Sequence, residues 1–370
     1  MKFTCEKNAL VSAISVASRT VAQKSTIPAL EGIYIRAGVK LPLSGYNLET
    51  GITISVDAEI QQTGACIMPS RLFFDIIRKL PGDTVSISVD EKFKVSIRGG
   101  ISSFSITAMS SEDYPELPEV ESDKGISLPQ NELKAMIGGT SFAVSENQAR
   151  PIHTGCLFEV EDSSITVVAV DGYRLALRRW KSEEPIGRTL KFVVPAAALK
   201  EAEKILGDTD EACTFFLGSK HILFTIGEAT LVCRLLEGEF LDWRRVLPQN
   251  QPVKLAVNVA KMTDSIERVG LIISEKLKSP VRCKFGENTA DFRSVSTIGE
   301  AHDVCQIAGD GQDMEIGFNC RYLLDALRAI PDAECSLELI NGLSPIVMNP
   351  CDGSERYSYM VLPVRLKAGE

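Results

Sequence analysis

At 370 residues, with 44% apolar and 24% charged side chains, the chain is too long for one comfortable hydrophobic core and too apolar to be dominated by disorder. No run approaches the ~18 consecutive apolar residues of a membrane helix. The formal net charge of −9 speaks at first against a surface built to neutralise nucleic-acid phosphates.

Along the chain, the opening Met1-Lys2-Phe3-Thr4-Cys5-Glu6 lacks the layout of a signal peptide, because an acid interrupts it before an apolar core can form. A cytoplasmic protein is expected. Residues 6–20 place Leu10, Ile14 and Ala17 on one helical face. Pro69 opens a second helix over 70–80, with Phe73, Ile76, Ile77 and Leu80 in phase. Alternating strands follow, carrying Val85, Ile87 and Val89, then Phe93, Val95 and Ile97, then Phe104 and Ile106. Asp90-Glu91 and Gly99-Gly100 supply the turns between them. The acidic, proline-bearing stretch 112–126 reads as a linker.

A third helix is expected over 130–144. In VDGYRLA (170–176), Asp171 is the one candidate catalytic acid, but an Asp-Gly turn between two strands accounts for it more simply. Pro195 opens a helix over 196–206, with Leu199, Ala202, Ile205 and Leu206 on one face. Residues 244–254 carry two prolines and read as a second linker. Helices over 259–278 and 319–330 follow, the last with Leu323, Ala326, Leu327 and Ile330 in phase. At the end, Met360, Leu362 and Val364 alternate as a strand would. Pro363 cannot donate to a ladder, so the strand should lie at a sheet edge or leave the sheet there.

These elements repeat. The residues opening the second helix of each set, Pro69, Pro195 and Asn319, lie 126 and 124 residues apart. Leu10, Leu133 and Met262 hold matching places in the first helix of each set, 123 and 129 residues apart. Self-similarity at that spacing predicts an α+β protein of three similar domains, 1–122, 123–250 and 251–370, each with two helices and antiparallel sheets.

Local chemistry is sparse. There is no Walker loop and no GxGxxG, and the three histidines, His153, His221 and His302, are too dispersed for a metal cluster. The ten cysteines lack the short spacings of zinc or redox motifs and read as small buried hydrophobes. No catalytic residue, metal or cofactor is expected. Charge is unevenly distributed: the six predicted helices carry a net +5, leaving −14 for the rest of a chain whose total is −9. Such segregation suits weak contact with a polyanion through phosphates alone.

The repeat, the opening MKFTCEKNAL, PSRLFFDIIRKLP (69–81), RPIHTGCLFEV (150–160), VDGYRLA, FLDWRRVLP (240–248) and YMVLPVRL (359–366) together resemble the bacterial β sliding clamp family, in order from Met1 to Leu366. The resemblance implies a DNA clamp fold closing as a head-to-tail dimeric ring, with twelve helices lining a hole around duplex DNA. It implies no catalytic activity and no membrane association. The implied partners are a second copy, duplex DNA held without sequence preference, a clamp-loader ATPase complex, replicative and translesion polymerases, mismatch-repair proteins and ligase.

The family's partner-peptide cleft maps to His153, Val170, Gly172, Tyr173, Arg174 and Leu175, then to Leu241, Arg245 and Val246. From the third domain it takes Asn319, Tyr322, Leu343, Pro345 and Met360, followed by Leu362, Pro363, Val364, Arg365 and Leu366. DNA-facing positions map to Lys24, Arg71, Asn147, Gln148, Pro151 and Ile152. The dimer interface is expected where Leu271-Ile272-Ile273, ending an amphipathic helix, meets Phe104 and Ile106 on an edge strand. Three departures stand out: His153 replaces an aliphatic residue, Ala196-Ala197 replaces a basic pair, and Asn47 replaces an aspartate. Two other classes stay open at this point, an enzyme built of three α+β repeats and a scaffold with no DNA role.

Overall fold

The computed structural model describes residues 1–121, 124–273 and 279–366. Its helices are α1 (Lys7–Ala17), α2 (Ser70–Lys79), α3 (Gln130–Gly138), α4 (Ala196–Ile205), the single turn α5 (Trp243–Val246), α6 (Val259–Gly270) and α7 (Cys320–Arg328). The strand pairings are antiparallel, as an α+β reading requires. The chain forms two compact units, one from Met1–Lys134 with Ala197–Leu235, the other from Ala135–Ala196 with Leu236–Glu370.

In the first unit, a five-stranded sheet runs from Ala58–Gln62 through Lys2–Glu6, Thr84–Val89 and Lys94–Gly99 to Ser102–Thr107. An eight-stranded sheet joins distant sequence, because Ala229–Arg234 pairs with Thr50–Val56. The apolar stripes of α1 and α2 meet in one core: Leu10, Ile14 and Ala17 with Phe73, Ile77, Val85, Ile87 and Ile97. Glu6 caps α1 by accepting from the N–H groups of Asn8 and Ala9, satisfying donors that the first helical turn leaves open.

In the second unit, ten strands form one sheet. It passes from Leu190–Pro195, Gly155–Glu161, Ser164–Val170 and Arg174–Lys181 to Tyr357–Val361, and ends on the long hairpin of Val281–Ser296 and Gly299–Phe318. Asn258 and Asn319 cap α6 and α7 by accepting from Lys261 and Tyr322 N–H.

Several expectations are corrected. Each helix pair is preceded by a strand, Lys2–Glu6, Ile126–Pro129 and Val253–Asn258, which the helix-first reading of each repeat left out. Phe93 is not in a strand. It sits in the turn at φ 58, with Asp90 Oδ1 accepting from the N–H groups of Lys92 and Lys94. The third helix stops at Gly138, and a separate 3-10 turn covers Ser141–Ala143. The helix drawn over 259–278 ends at Gly270, so Ile272 and Ile273 lie in the turn beyond it rather than on it, and residues 274–278 lie outside the described residues. Glycine and two β-branched residues in a row are poor helix formers, and they override the apolar spacing. Within the stretch read as a linker, Tyr114 stacks on Tyr34 at 5.0 Å and its hydroxyl donates to Ser44 O. The stretch 244–254 contains most of α5.

All ten cysteines are free thiols, and eight are buried; Cys320 is half-buried and Cys351 exposed. Burial pushes the thiols of Cys5, Cys66, Cys213, Cys233 and Cys335 up to about 12. They are small hydrophobes, as their setting in apolar stretches predicts.

Candidate functional site

The nineteen cleft positions all fall in the second unit. Its key turn is built by Asp171. The strands Ser164–Val170 and Arg174–Lys181 pair antiparallel with Val170 opposite Leu175, so the chain must reverse across Asp171–Tyr173. Asp171 Oδ1 accepts from the N–H groups of Tyr173 and Arg174, and Gly172 takes φ +91, a conformation that glycine adopts without strain. Asp171 is thereby a turn residue, in line with the simpler of its two sequence readings.

Arg174 is buried and fully engaged. Its Nε donates to Asp171 Oδ2 at 3.0 Å, Nη1 to Asp325 Oδ2 at 2.6 Å and Nη2 to Phe142 O at 2.7 Å. Its guanidinium also lies 4.3 Å from the centre of the Tyr322 ring, and Tyr322 stacks on Tyr173 at 6.0 Å. A buried cation is tolerated when its donors are used and counter-charges are close. Arg174 thus ties the Asp171 turn to α7 and orients two tyrosines, of which Tyr173 is 61% exposed.

The C-terminal segment runs alongside. Strand Tyr357–Val361 pairs with Arg174–Lys181 on one side and Ile346–Pro350 on the other, so it is interior, not at an edge. The alternative expectation holds: the chain leaves the ladder at Pro363. Leu362 N–H donates to Tyr173 O and Val364 N–H to Gly317 O, both at 2.8 Å, with the proline between them. A Cβ on Gly317 would come within 2.5 Å of Leu366 Cδ2 and 2.8 Å of Val364 O, so only glycine lets the segment lie this close.

Beneath lies an apolar floor of Val170, Leu175, Phe240, Trp243, Val347 and Met360, with Val246 and Leu362 packed against it half-buried. Val170, Leu175 and Met360 are core residues, closed to solvent. Leu241, Leu343 and Val364, like Tyr173, are exposed apolar side chains. Arg245 is exposed and paired with Asp242 at 3.0 Å, and Arg365 is exposed. Asn319 is committed to capping α7, while Pro345 and Leu366 are half-buried.

His153 sits on the 3-10 turn Pro151–Thr154, its ring edge-on to Phe240 at 5.1 Å. Burial, reinforced by Arg150, lowers its pKa, so the ring is neutral at neutral pH. Its polar effect on the wall is therefore that of an uncharged imidazole.

Trp243, Phe240, Phe142, Asp325 and Gly317 are contributors that sequence reasoning missed. Trp243 Nε1 donates to Glu159 Oε2 at 3.1 Å, and Arg244 covers its ring at 4.2 Å while binding the same carboxylate, which anchors α5. Asp325 could have been found as the lone acid on an otherwise apolar and basic helix.

The DNA-facing positions are less organised. Lys24 and Arg71, in the first unit, are exposed; in the second, Asn147, Gln148 and Pro151 are exposed and Ile152 is half-buried. Asn147 Oδ1 already accepts from Ala149 N–H. Of the basic residues in the predicted helices, Arg19, Arg78, Lys134, Lys204, Arg268, Arg321 and Arg328 are ion-paired, so much of that charge is locally neutralised. Phe104 is exposed and Ile106 half-buried on Ser102–Thr107, an edge strand as expected; Leu271 is 82% exposed, with Ile272 and Ile273 half-buried.

Among the described residues, no group of His, Cys, Asp and Glu could hold a metal ion, and no helix is long and apolar enough to cross a membrane.

Comparison with known proteins is consistent over the chain. Three family models match in succession, the DNA polymerase III beta subunit N-terminal domain over residues 1–118, the central domain over 127–242 and the C-terminal domain over 244–365. A beta sliding clamp of Staphylococcus epidermidis is 32% identical over 381 residues, covering 99% of each chain, and one of Staphylococcus aureus is 31% identical with the same coverage. A crystal structure of a DNA polymerase sliding clamp from Bacillus subtilis superposes with a TM-score of 0.94 at 30% identity, over 99% of this chain and 100% of that one.

Proposed function

The chain belongs to the DNA polymerase III beta-subunit family and acts as a DNA sliding clamp, and on that footing we propose that it encircles duplex DNA as a head-to-tail homodimer and tethers partner proteins through the cleft around Tyr173 and Leu362. In this reading it is a cytoplasmic protein of three domains, 1–122, 123–250 and 251–370, with no catalytic residues of its own. A clamp-loader ATPase opens it. Replicative and translesion polymerases, mismatch-repair proteins and ligase dock by short peptides.

The observation that carries the reading is the cleft. Tyr173, Leu241, Leu343 and Val364 are exposed apolar side chains of the unit whose apolar cluster holds Val170, Leu175 and Met360, and the chain leaves its sheet at Pro363, between a bond to Tyr173 O and one to Gly317 O. An apolar groove with a few fixed polar groups suits an extended peptide with two or three hydrophobic anchors. Two unpaired sheet edges, Ser102–Thr107 and Val281–Ser296, support association with a second copy. Extensive ion pairing on the helices supports weak, sequence-independent contact with DNA, retention coming from topology.

The test is direct. Truncating a hot-spot wall costs ~2 kcal/mol or more, about thirty-fold in affinity. Leu362→Ala with Tyr173→Ala should abolish binding of a polymerase-derived peptide while dimer mass and melting temperature hold. Full-strength peptide binding by this double variant would place the docking site elsewhere.

A further inference from the structure

Among the described residues, His153 Nε2 is the one buried side-chain polar atom with no hydrogen-bond partner. Other buried polar groups of the same unit show how unusual that is. Trp243 Nε1 reaches Glu159, Thr140 Oγ1 donates to Met136 O, and Arg174 uses three groups of donors on three acceptors. A buried donor or acceptor left unmade costs about 1–3 kcal/mol. The backbone around His153 is satisfied, its N–H on Arg150 O and its carbonyl accepting from Ser145 N–H, so the side chain alone is at odds with its place. That place is the cleft wall: the ring packs on Phe240, which belongs to the floor with Val170, Leu175 and Leu362. An aliphatic side chain would pack there without the penalty.

We infer that His153 is a specificity-determining residue whose imidazole, closed to solvent at Nε2 in the free chain, turns on docking so that this nitrogen hydrogen-bonds an uncharged polar side chain, amide or hydroxyl, of the docked peptide. The inference rests on the reading of this cleft as the docking site. A neutral imidazole has one N–H and one lone pair, so it can answer either end of an amide or hydroxyl. A site built to make such a bond rejects a ligand that leaves it unmade, more sharply than an apolar pocket tells one aliphatic group from another.

The experiment uses the full chain and a fluorescent heptapeptide with two aliphatic anchors, together with the set in which each residue in turn is asparagine. Anisotropy is read on the wild-type chain, His153→Leu, His153→Gln and the Leu362→Ala/Tyr173→Ala double variant. At least one asparagine peptide should bind the wild type as tightly as the parent or more so. That peptide should lose about tenfold on His153→Leu, the size of one hydrogen bond, while the parent binds more tightly and His153→Gln keeps the preference. His153→Leu should also melt at or above the wild-type temperature, since the unmade bond is gone. If the wild type rejects every asparagine peptide, or His153→Leu shifts all peptides by one factor, the inference fails and the docking site stands. If the parent binds the double variant unimpaired, or fails to bind the wild type, the docking reading fails and this inference with it.

Discussion

At the scale of single residues, Arg174 holds more of the site than any exposed side chain. Removing it strands Asp171 and Asp325 near the surface of the cleft and uncovers Tyr322. Breaking one partner out of a buried pair costs roughly 3–5 kcal/mol. Since Asp325 keeps some solvent and has Arg321 nearby, Arg174→Ala should lose about 2–3 kcal/mol in urea unfolding. Arg174→Lys should recover little, because an ammonium cannot form the fork or the ring stack. Histidine adds a pH dependence of defined sign. Burial lowers the pKa values of His153 and His221 below the ordinary 6.5, with Arg150 adding at the first, Arg234 and Lys220 at the second. Between 6.5 and the lowered values the unfolded chain binds more protons, so stability falls as pH drops through that window and levels off below it. Thermal melts from pH 7.5 to 5.5 should show the loss, and His153→Leu should reduce it. Thiol labelling gives a third check: native protein should present Cys351 first, and slowly, since burial and then Glu334, Asp332 and Asp352 raise its pKa. Cys351→Ser should remove that phase.

At the scale of elements, the stripes of α1, α2 and α7 were legible because each helix buries one face only. Phe73, Ile76 and Ile77, and Leu323, Ala326 and Leu327, are buried as their spacing requires. Pro363 was legible too, since a missing N–H has one consequence for a ladder, although the strand before it proved interior. Less could be read where partners are far apart in sequence. The pairing of Arg174–Lys181 with Tyr357–Val361 joins residues some 180 positions apart and underlies the proposed cleft, yet no local pattern announces it. Trp243 was hidden in a proline-bearing stretch, and its role depends on Glu159 across the sheet. The long hairpin Val281–Ser296 and Gly299–Phe318 alternates at Val281, Cys283 and Phe285, but further along it buries small or polar residues such as Ala290 and Ser294, so its alternation fades. His153 was marked from sequence as out of place, but only the fold reveals that its nitrogen is unpaired.

At the scale of the whole molecule, the proposed function requires assembly of two copies. Fully burying an isoleucine contributes roughly 1.5–3 kcal/mol. Ile272 and Ile273, half-buried in the single chain, should each contribute part of that on dimerisation. Ile272→Ala with Ile273→Ala should therefore shift dimer toward monomer in sedimentation at nanomolar protein, and an unchanged dimer would move the interface elsewhere. Binding to a short open-ended duplex should be weak and fall steeply with salt, as phosphate contacts do. Topological linkage, the central claim, is tested most directly on a nicked circular DNA to which the chain has been loaded by a clamp loader and ATP. Retained protein should stay with the circle through gel filtration and be released when a restriction enzyme linearises it. Protein that stays on the linear DNA, or that never persists on the closed circle, would contradict the account.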